Sequence, residues 1–304
     1  MSILNWFTSF VLVATIVPAL TAETHCPGSV ASITPRFVAG ALIVIPVRIN
    51  QEGPFDFVVD TGSQVTMIDP ALASQLQLRL QGSVGIVSVS GFARGSATVL
   101  DTLEAGAYRL EKPLALVQGL GAIHAADGHI RGILGENFLS HFDVMIDYAH
   151  KLLCLDASTA MRDKLHGERI PLVRPHPDRD LPFMERLVIV AHLSGARARP
   201  IFLQVDSGSD GPLLYARYDE KSLPLLNLAT PRRGNLTEAQ KAFAALPPQE
   251  LRIGKCTMSD VRFVTPVSGG GISRLEEDGL LPTLLFQRVF ISGADHFVIF
   301  DPKS

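Results

Sequence analysis

Residues 55–63 read Phe-Asp-Phe-Val-Val-Asp-Thr-Gly-Ser, and residues 201–209 read Ile-Phe-Leu-Gln-Val-Asp-Ser-Gly-Ser. Each apolar run is typical of a buried strand, and the Asp-Thr-Gly or Asp-Ser-Gly that ends it is typical of a turn. Asp60 and Asp206 therefore each lie where a strand meets a loop. Because burying a lone carboxylate is costly, two acids in duplicated segments are predicted to face each other and share a proton. Such a pair is a catalytic arrangement.

The duplication extends beyond the two acids. Residues 54–63 align with residues 200–209 without a gap, at an offset of 146. Downstream, Gly-Ile-Leu-Gly at 132–135 corresponds to Gly-Leu-Leu-Pro at 279–282, and an apolar helical turn follows each of them. Repetition on this scale indicates a chain built from two similar halves.

Each half shows the same order of predicted strands. The β-branched segments 41–49 and 186–193 each lead through a turn into an acid-bearing strand, which predicts two hairpins. Each half is then predicted to close with a strand, at 144–156 and at 289–301. The expected fold is therefore all-β, a pseudo-dimer of two β-barrel-like lobes.

Composition sets the limits on this fold and on its partners. With 304 residues, 47% apolar and 19% charged, the chain can bury a substantial core and form two domains. We expect a first lobe at 37–156, a polar connector at 157–184 and a second lobe at 185–304. The net charge of −3 and the scattered basic residues argue against a nucleic-acid partner.

Residues 1–22 are interpreted as a targeting segment. An apolar run covers residues 7–20, and small residues precede a plausible cleavage point before Glu23, which predicts a signal peptide and a periplasmic or secreted protein. No Lys or Arg precedes the run, and with Ile3 and Leu4 it approaches the roughly 20 residues of a membrane span. A retained N-terminal anchor is therefore the alternative, and it is the only membrane contact expected.

The sequence resembles the pepsin and retropepsin aspartic proteases and is most similar to their bacterial retropepsin-like members. The first lobe carries Phe-Val-Val-Asp-Thr-Gly-Ser-Gln-Val-Thr at 57–66, Gly-Ile-Leu-Gly-Glu-Asn-Phe-Leu at 132–139 and Phe-Asp-Val-Met-Ile-Asp-Tyr at 142–148. The second lobe carries Asp-Ser-Gly-Ser but departs from the pattern in two places. Pro282 replaces a glycine, and Ser-Gly at 292–293 stands where Asp-Tyr is expected.

The resemblance implies a bilobal acid protease fold and an aspartic endopeptidase activity. Asp60 and Asp206 would meet between the lobes and hold a water that attacks a peptide carbonyl, with one acid as base and the other carrying the shared proton. A peptide or protein substrate would bind in the cleft between the lobes of a monomer. No metal or cofactor would be needed.

The resemblance also assigns supporting roles beside the two acids. Gly62 and Gly208 would let the loop backbones approach each other without a Cβ clash. Thr61 and Ser207 would form hydrogen bonds across the two loops, as their family counterparts do. These four residues would position the carboxyls.

Ser63 and Ser209 each follow an acid by three residues, within hydrogen-bonding reach in the family geometry. A hydroxyl that donates to an ionised carboxylate lowers the pKa of that carboxylate. With a donor on each side, we expect the pair to keep its single shared proton in an acidic range. Activity is therefore predicted to peak below neutral pH.

Residues 83–100 are predicted to form a hairpin with an interruption at 90–95. In the family, a hairpin at this place covers the cleft as a flap, and Phe92 would then contact substrate. The alternative is an exposed loop aromatic without a role. A polar insert at 237–245 in the second lobe is expected to be helical, with no function assigned.

Several alternatives stay open. The chain could be a pepsin-fold protein that binds peptides or proteins without cutting them, or the first lobe could act only through self-association. Asp210 could pair or cap locally beside the second acid. His124 and His129 do not have metal-site spacing, so no metal site is predicted. The three cysteines allow at most one disulfide, whose partners the sequence does not identify.

Overall fold

The computed structural model of the chain describes residues 25–88, 91–174, 186–193, 200–215, 243–266 and 277–303. The predicted signal peptide or anchor at 1–22, the end of the connector and the hairpin tip at 89–90 lie outside these residues. Helices are short within the described part: α1 (Pro70–Gln75), α2 (Gly121–Ala126) and α3 (Glu136–Leu139), with 3-10 turns at Pro27–Ser29 and Thr283–Leu285.

The first half of the chain forms thirteen of the described strands. They are β1 (Ser32–Ile33), β2 (Arg36–Val38), β3 (Leu42–Ile49), β4 (Glu52–Val59), β5 (Met67–Ile68), β6 (Gln81–Ser88), β7 (Gly91–Val99), β8 (Thr102–Ala105), β9 (Tyr108–Glu111), β10 (Leu114–Val117), β11 (Ile130–Leu134), β12 (Asp143–Asp147) and β13 (Leu152–Asp156). All but β1, β12 and β13 belong to one large sheet.

The second half contributes the remaining described strands. They are β14 (Ile170–Pro171), β15 (Val188–Leu193), β16 (Ile201–Asp206), β17 (Leu213–Leu214), β18 (Phe243–Ala245), β19 (Gln249–Ile253), β20 (Cys256–Val261), β21 (Val264–Pro266), β22 (Gly279–Pro282), β23 (Phe286–Ser292) and β24 (Phe297–Pro302). Strands β15 to β22 form the sheet of the second lobe. The predicted all-β fold with two lobes is therefore confirmed.

Both acid-bearing strands occupy the same place in their lobes. Strand β4 pairs antiparallel with β3 and parallel with β11, and β16 pairs antiparallel with β15 and parallel with β22. The β3–β4 turn consists of Asn50 and Gln51, whose φ angles of 50° and 69° are those of a type I′ hairpin turn. Hydrogen bonds on both sides make each acid-bearing strand a central strand of its sheet.

A third sheet joins the two lobes. Its order is β1-β13-β12-β23-β24-β14, and the lobes meet where β12 pairs antiparallel with β23. The sequence predicts one closing strand for each half, and this prediction is wrong in number. Each half closes with a two-stranded hairpin, β12–β13 and β23–β24, because turns interrupt the apolar runs at residues 148–151 and 293–296.

One hydrophobic core runs through both lobes beneath the acid-bearing strands. It includes Phe57 and Leu134 from the first lobe and Val205 and Leu281 from the second, all fully buried. Burying side chains of this size stabilises the fold by about 1.5–3 kcal/mol each. The acids therefore extend from strands that are anchored in the core.

Three features outside this core answer questions that the sequence raised. A disulfide joins Cys26 to Cys154 and ties the N-terminal segment to β13. Strands β6 and β7 form the expected hairpin, but β7 already begins at Gly91, so the interruption is shorter than predicted. The helix expected at 237–245 is wrong for its described part, because Phe243–Ala245 pairs with β21 as a strand.

Within the described part of the chain, no helix has the length and apolar character that crossing a bilayer requires.

Candidate active site

Asp60 and Asp206 meet where the two lobes face each other. Asp60 follows β4 directly, and its backbone N–H donates to the carbonyl oxygen of Leu134 at 3.0 Å. Asp206 ends β16, opposite Pro282 of β22. The two aspartate carboxyls are close enough to shift each other's pKa, and each lies against the glycine of the opposite loop. Asp206 is buried, with 6% of its surface exposed, whereas Asp60 is partly exposed. Solvent therefore reaches the first acid more readily than the second.

Backbone amides of each loop point at the acid that precedes them. The N–H groups of Gly62 and Ser63 donate to Oδ1 of Asp60 at 2.8 and 3.1 Å. In the second loop, the N–H of Gly208 donates to Oδ1 of Asp206 at 2.7 Å. Such bonds favour the ionised carboxylate and fix its orientation.

Thr61 and Ser207 link the two loops through reciprocal hydrogen bonds. The Thr61 hydroxyl donates to the carbonyl of Val205 at 3.0 Å, and the Ser207 hydroxyl donates to the carbonyl of Val59 at 2.9 Å. Each hydroxyl oxygen also accepts the backbone N–H of the opposite loop, in both cases at 3.0 Å. Both side chains are buried, so these bonds hold the two loops in a fixed relative position.

The prediction that the hydroxyls of Ser63 and Ser209 donate to the two acids is wrong. The Ser63 hydroxyl donates to the carbonyl of Val65 at 3.0 Å, and the Ser209 hydroxyl donates to the carbonyl of Gly211 at 2.9 Å. The backbone N–H of Ser63 donates to Oδ1 of Asp60 instead, and the backbone N–H of Ser209 acts on Asp206 in the direction that lowers its pKa. The turn directs the amides toward the acids, so each hydroxyl satisfies its own loop.

The pKa values of the two acids are shifted by their surroundings. Burial raises the pKa of Asp60, while the amides of Gly62 and Ser63 and the side chain of Asp206 oppose that rise. Burial and then the negative charge of Asp60 raise the pKa of Asp206 well above its ordinary value. The arrangement can hold one proton on the pair, and the more buried Asp206 retains it more strongly.

The segment 132–135 packs beneath the first acid loop, as expected of structural support. A Cβ on Gly135 would lie 2.8 Å from the carbonyl oxygen of Ser63, so the loop rests directly on this backbone. The amide oxygen of Asn137 accepts from the backbone N–H and the hydroxyl of Thr66, at 2.8 and 2.9 Å. These contacts fix the far end of the loop.

Glu136 is a buried acid near the pair that the sequence patterns did not single out. It begins α3, only 4% of its surface is exposed, and its backbone N–H donates to the carbonyl of Ser63 at 2.8 Å. Burial and then the negative charge of Asp60 raise its pKa to about 8. An acid directly after the Gly-Ile-Leu-Gly run is the sequence signal that could have identified it.

The divergent second lobe keeps the strand geometry around its acid. Strand β22, which carries Pro282, pairs with β16 in parallel register, as β11 does with β4. The next residue, Thr283, shares a hydrogen bond of 2.6 Å between hydroxyls with Tyr148 of the first lobe. Burial is the main cause that raises the pKa of Tyr148 to about 12. This hydrogen bond is a second polar link between the lobes beside the acids.

The remaining candidates are two histidines, Asp210 and Phe92. His124 and His129 do not join a cluster of potential metal ligands, and none with three such residues occurs in the described ranges. The Nε2 atom of His124 lies 2.9 Å from the carbonyl oxygen of Ile130. Asp210 is exposed in the second acid loop. Phe92 lies on β7, but its side chain is outside the described part of the structure.

One comparison with known proteins covers the first half of this site. Residues 45–138 match the aspartyl protease family, a segment that includes Asp60 and ends in α3. Among solved structures, the chain is similar to a retropepsin-like aspartic protease from Rickettsia conorii. The two are 21% identical, with a TM-score of 0.30, over 41% of this chain and 90% of that one. No curated protein matches the chain.

Proposed function

We propose that the chain is an exported endopeptidase of the retropepsin-like aspartic protease kind, with Asp60 and Asp206 as its catalytic pair. The match of residues 45–138 to the aspartyl protease family supports the proposal. The observation that carries the proposal is that each aspartate carboxyl, at the end of an equivalent strand, lies against the glycine of the opposite acid loop. Two acids that face each other in this way share one proton and act as base and acid together.

The reaction uses a water bound between the carboxyls. Ionised Asp60 accepts a proton from the water as its oxygen attacks the peptide carbonyl, and protonated Asp206 donates a hydrogen bond to the carbonyl oxygen. The tetrahedral intermediate collapses when the leaving nitrogen is protonated by the pair. The amides of Gly62, Ser63 and Gly208 keep the carboxyl planes oriented throughout.

The substrate is an extended peptide or protein segment in the cleft between the lobes. The β6–β7 hairpin of the first lobe would cover this cleft, and Phe92 on β7 is the aromatic residue that we assign to the substrate side. Substrate side chains would be selected by the walls on either side of the aspartate pair.

Export is supported by two features at the N-terminus. The apolar run at 7–20 has the length of a signal-peptide core. Shortly after it, Cys26 forms a disulfide with Cys154, and structural disulfides are typical of proteins in oxidising compartments. We therefore assign the protein to the periplasm or to the secreted fraction, and its mature chain begins near Glu23.

The test compares the wild-type protein with Asp60→Asn and Asp206→Asn on a mixed peptide library. Each amide replaces a carboxyl that can accept or release the shared proton, so each substitution should abolish cleavage while circular dichroism shows an unchanged fold. Asp210→Asn is the matched control, because this exposed acid lies in the same loop as Asp206. It should cleave normally.

Two outcomes would contradict the proposal. A folded wild-type protein that binds peptides from the library but cuts none of them would indicate a binding protein. Normal cleavage by Asp206→Asn would remove the intramolecular pair. In that case, a molecular mass in solution twice that of the chain would indicate self-association of the first lobe.

A further inference from the structure

Gln204 interrupts the apolar strand β16, two residues before Asp206. Only 2% of its surface is exposed. Its Nε2 atom donates to the carbonyl oxygen of Gly62 at 3.1 Å, so a side chain of the second lobe contacts the acid loop of the first. A buried amide in the middle of such a strand is costly unless its polar atoms are bonded. The hydrogen bonds of the Gln204 amide therefore explain why a polar residue occupies this position.

The peptide group that accepts this hydrogen bond also serves Asp60. The Gly62 carbonyl and the Ser63 N–H belong to one peptide unit, and that N–H donates to Oδ1 of Asp60 at 3.1 Å. A hydrogen bond to the carbonyl polarises the peptide group and strengthens the donation from its N–H. Gln204 thus acts on the carboxylate of Asp60 through one peptide group.

An ion pair between the partly buried Arg186 and the buried Glu277 holds Gln204 in this orientation. Its Oε1 atom accepts from Nη1 of Arg186 at 3.2 Å, and the same nitrogen lies 2.8 Å from Oε1 of Glu277. Glu277 is fully buried, and the Tyr215 hydroxyl is 3.4 Å from its Oε1 atom. Because Arg186 fixes the amide oxygen, the amide nitrogen must face Gly62. The charge of Arg186 also polarises the amide in the direction that strengthens its donor.

The equivalent position in the first lobe carries no hydrogen-bond donor in its side chain. At the offset of 146 that relates the two acids, the residue in the place of Gln204 is Val58, which packs in an apolar cluster with Val44 and Ile130. A valine cannot donate to the carbonyl of Gly208, the counterpart of Gly62. The two acid loops therefore differ at this contact.

We propose that Gln204 is a positioning residue that keeps the negative charge of the aspartate pair on Asp60 and leaves the shared proton on Asp206. The inference deepens the proposed function, since it assigns the base and the acid within the same pair. Arg186 and Glu277 complete the device by holding the amide.

Other ionisable groups near the pair do not supply this asymmetry in the acidic range. Burial and then the charge of Asp60 raise the pKa of Glu136 to about 8, so this acid is neutral there. Tyr148 and Tyr215 interact with Asp206, and burial raises the pKa of both phenols, so they are neutral as well. The ion pair of Arg186 and Glu277 reaches the first acid loop through Gln204.

The test replaces Gln204 by methionine, which has a similar shape but no donor. The acidic limb of the pH profile of kcat/KM should move to higher pH by roughly half a pH unit, since one neutral hydrogen bond to the loop is lost. The loss at low pH should fall mainly on kcat, because peptide binding is not altered. Gln249→Met is the matched control. The Gln249 side chain lies at the start of β19 and donates to the carbonyl of Pro247, just before that strand.

A second measurement does not depend on catalysis. Carboxyl carbons of the full chain labelled with 13C-aspartate would be titrated by NMR, with Asp60→Asn and Asp206→Asn used for assignment. In the wild type the Asp60 signal should change at lower pH than that of Asp206. In Gln204→Met the difference between the two titration midpoints should become smaller. Because the titration needs no turnover, it separates a failure of this inference from a failure of the proposed function.

If Gln204→Met does not fold, the double variant Arg186→Met/Glu277→Gln is used instead. It removes both charges of the ion pair together, so Gln204 loses the contact that fixes its amide oxygen. A smaller shift in the same direction is then expected. Profiles and titrations of these variants that coincide with those of the wild type and of Gln249→Met would overturn the assignment. An Asp206 signal that titrates before that of Asp60 in the wild type would overturn it as well.

Discussion

A Cβ atom built on Gly62 would lie 2.6 Å from Cγ of Asp206, and one built on Gly208 would lie 2.5 Å from Cγ of Asp60. Each glycine therefore sits against the carboxyl of the opposite lobe, at a distance that no side chain tolerates. Neither glycine has a positive φ angle, so space rather than backbone conformation requires glycine at these positions. The two contacts fix how closely the acid loops approach each other.

Replacing either glycine by alanine should push the loops apart. A displacement of about 1 Å at reacting groups can cost about 100-fold in rate, and we expect Gly62→Ala and Gly208→Ala to lose at least that much in kcat. Gly211→Ala is the control, since a Cβ there meets no atom within 4 Å. Steady-state kinetics on one peptide would measure the effect. Equal rates for all three variants would contradict the close approach.

The reciprocal bonds of Thr61 and Ser207 should contribute to stability as well as to position. Thr61→Val removes a buried donor and acceptor and leaves the Val205 carbonyl and the Ser207 N–H unpaired. Unpaired buried groups cost about 1–3 kcal/mol each, so chemical unfolding should show a loss of that order. Thr257→Val, an exposed threonine on β20, should change the free energy of unfolding little.

A double-mutant cycle would show whether these bonds act as one network. If Thr61→Val and Ser207→Ala remove the same network, the combined loss should be smaller than the two single losses added. Strict additivity would mean that the two residues stabilise their loops separately.

The serine hydroxyls give a prediction that differs from the one based on sequence. Because both hydroxyls donate to loop carbonyls, Ser63→Ala/Ser209→Ala should leave the acidic limb of the pH profile where it is. The backbone amides that act on the carboxyls remain in the double variant. A modest loss of stability, about 1 kcal/mol for each bond, is expected. If the acidic limb moves to higher pH instead, the serine hydroxyls do donate to the carboxyls of Asp60 and Asp206.

Much of this site follows from the duplication in the sequence. Two apolar runs that end alike in Asp-x-Gly predict both acids and the strands that carry them, because a strand period and a turn are local properties. The donor of each carboxyl is not predictable in this way. At three residues from an acid, the backbone N–H and the hydroxyl of a serine are both within reach, and only the turn geometry decides between them.

Glu136 and Gln204 were not predicted from the sequence for a related reason. Their importance rests on burial and on partners in distant segments, such as Gly62 for Gln204, 142 residues away. The Cys26–Cys154 disulfide spans 128 residues and is equally invisible to local patterns. A polar residue within an apolar run is the one sequence signal for such a position. It indicates that the side chain has a buried partner but does not identify that partner.

The export proposal has its own direct test. Mass spectrometry of the protein isolated from its native host should give an N-terminus near Glu23, because the small residues before it fit a cleavage site. Cys26 and Cys154 should be found oxidised in the same sample. An intact Met1 terminus in the membrane fraction would identify an anchor instead.

Glu136 should make stability depend on pH in a distinctive direction. Its pKa is raised to about 8 in the folded protein from an ordinary value of 4.5, chiefly by burial. Between these values the folded state holds a proton that the unfolded state has released, so the free energy of unfolding falls as pH rises. The contribution is fully present below about pH 4.5 and is lost as pH passes the folded value. Across that range the free energy of unfolding falls by about 1.4 kcal/mol for each pH unit.

Glu136→Gln should abolish this dependence, because the amide stays neutral at every pH. Chemical unfolding at pH 5 and at pH 8 should show the variant gaining stability relative to the wild type at the higher pH. The aspartate pair is present in both proteins, so its own titration largely cancels in the comparison. Glu52→Gln, which replaces an exposed glutamate at the start of β4, should follow the wild type. If the curves of Glu136→Gln and wild type run parallel across this range, the buried acid is not held neutral by the fold.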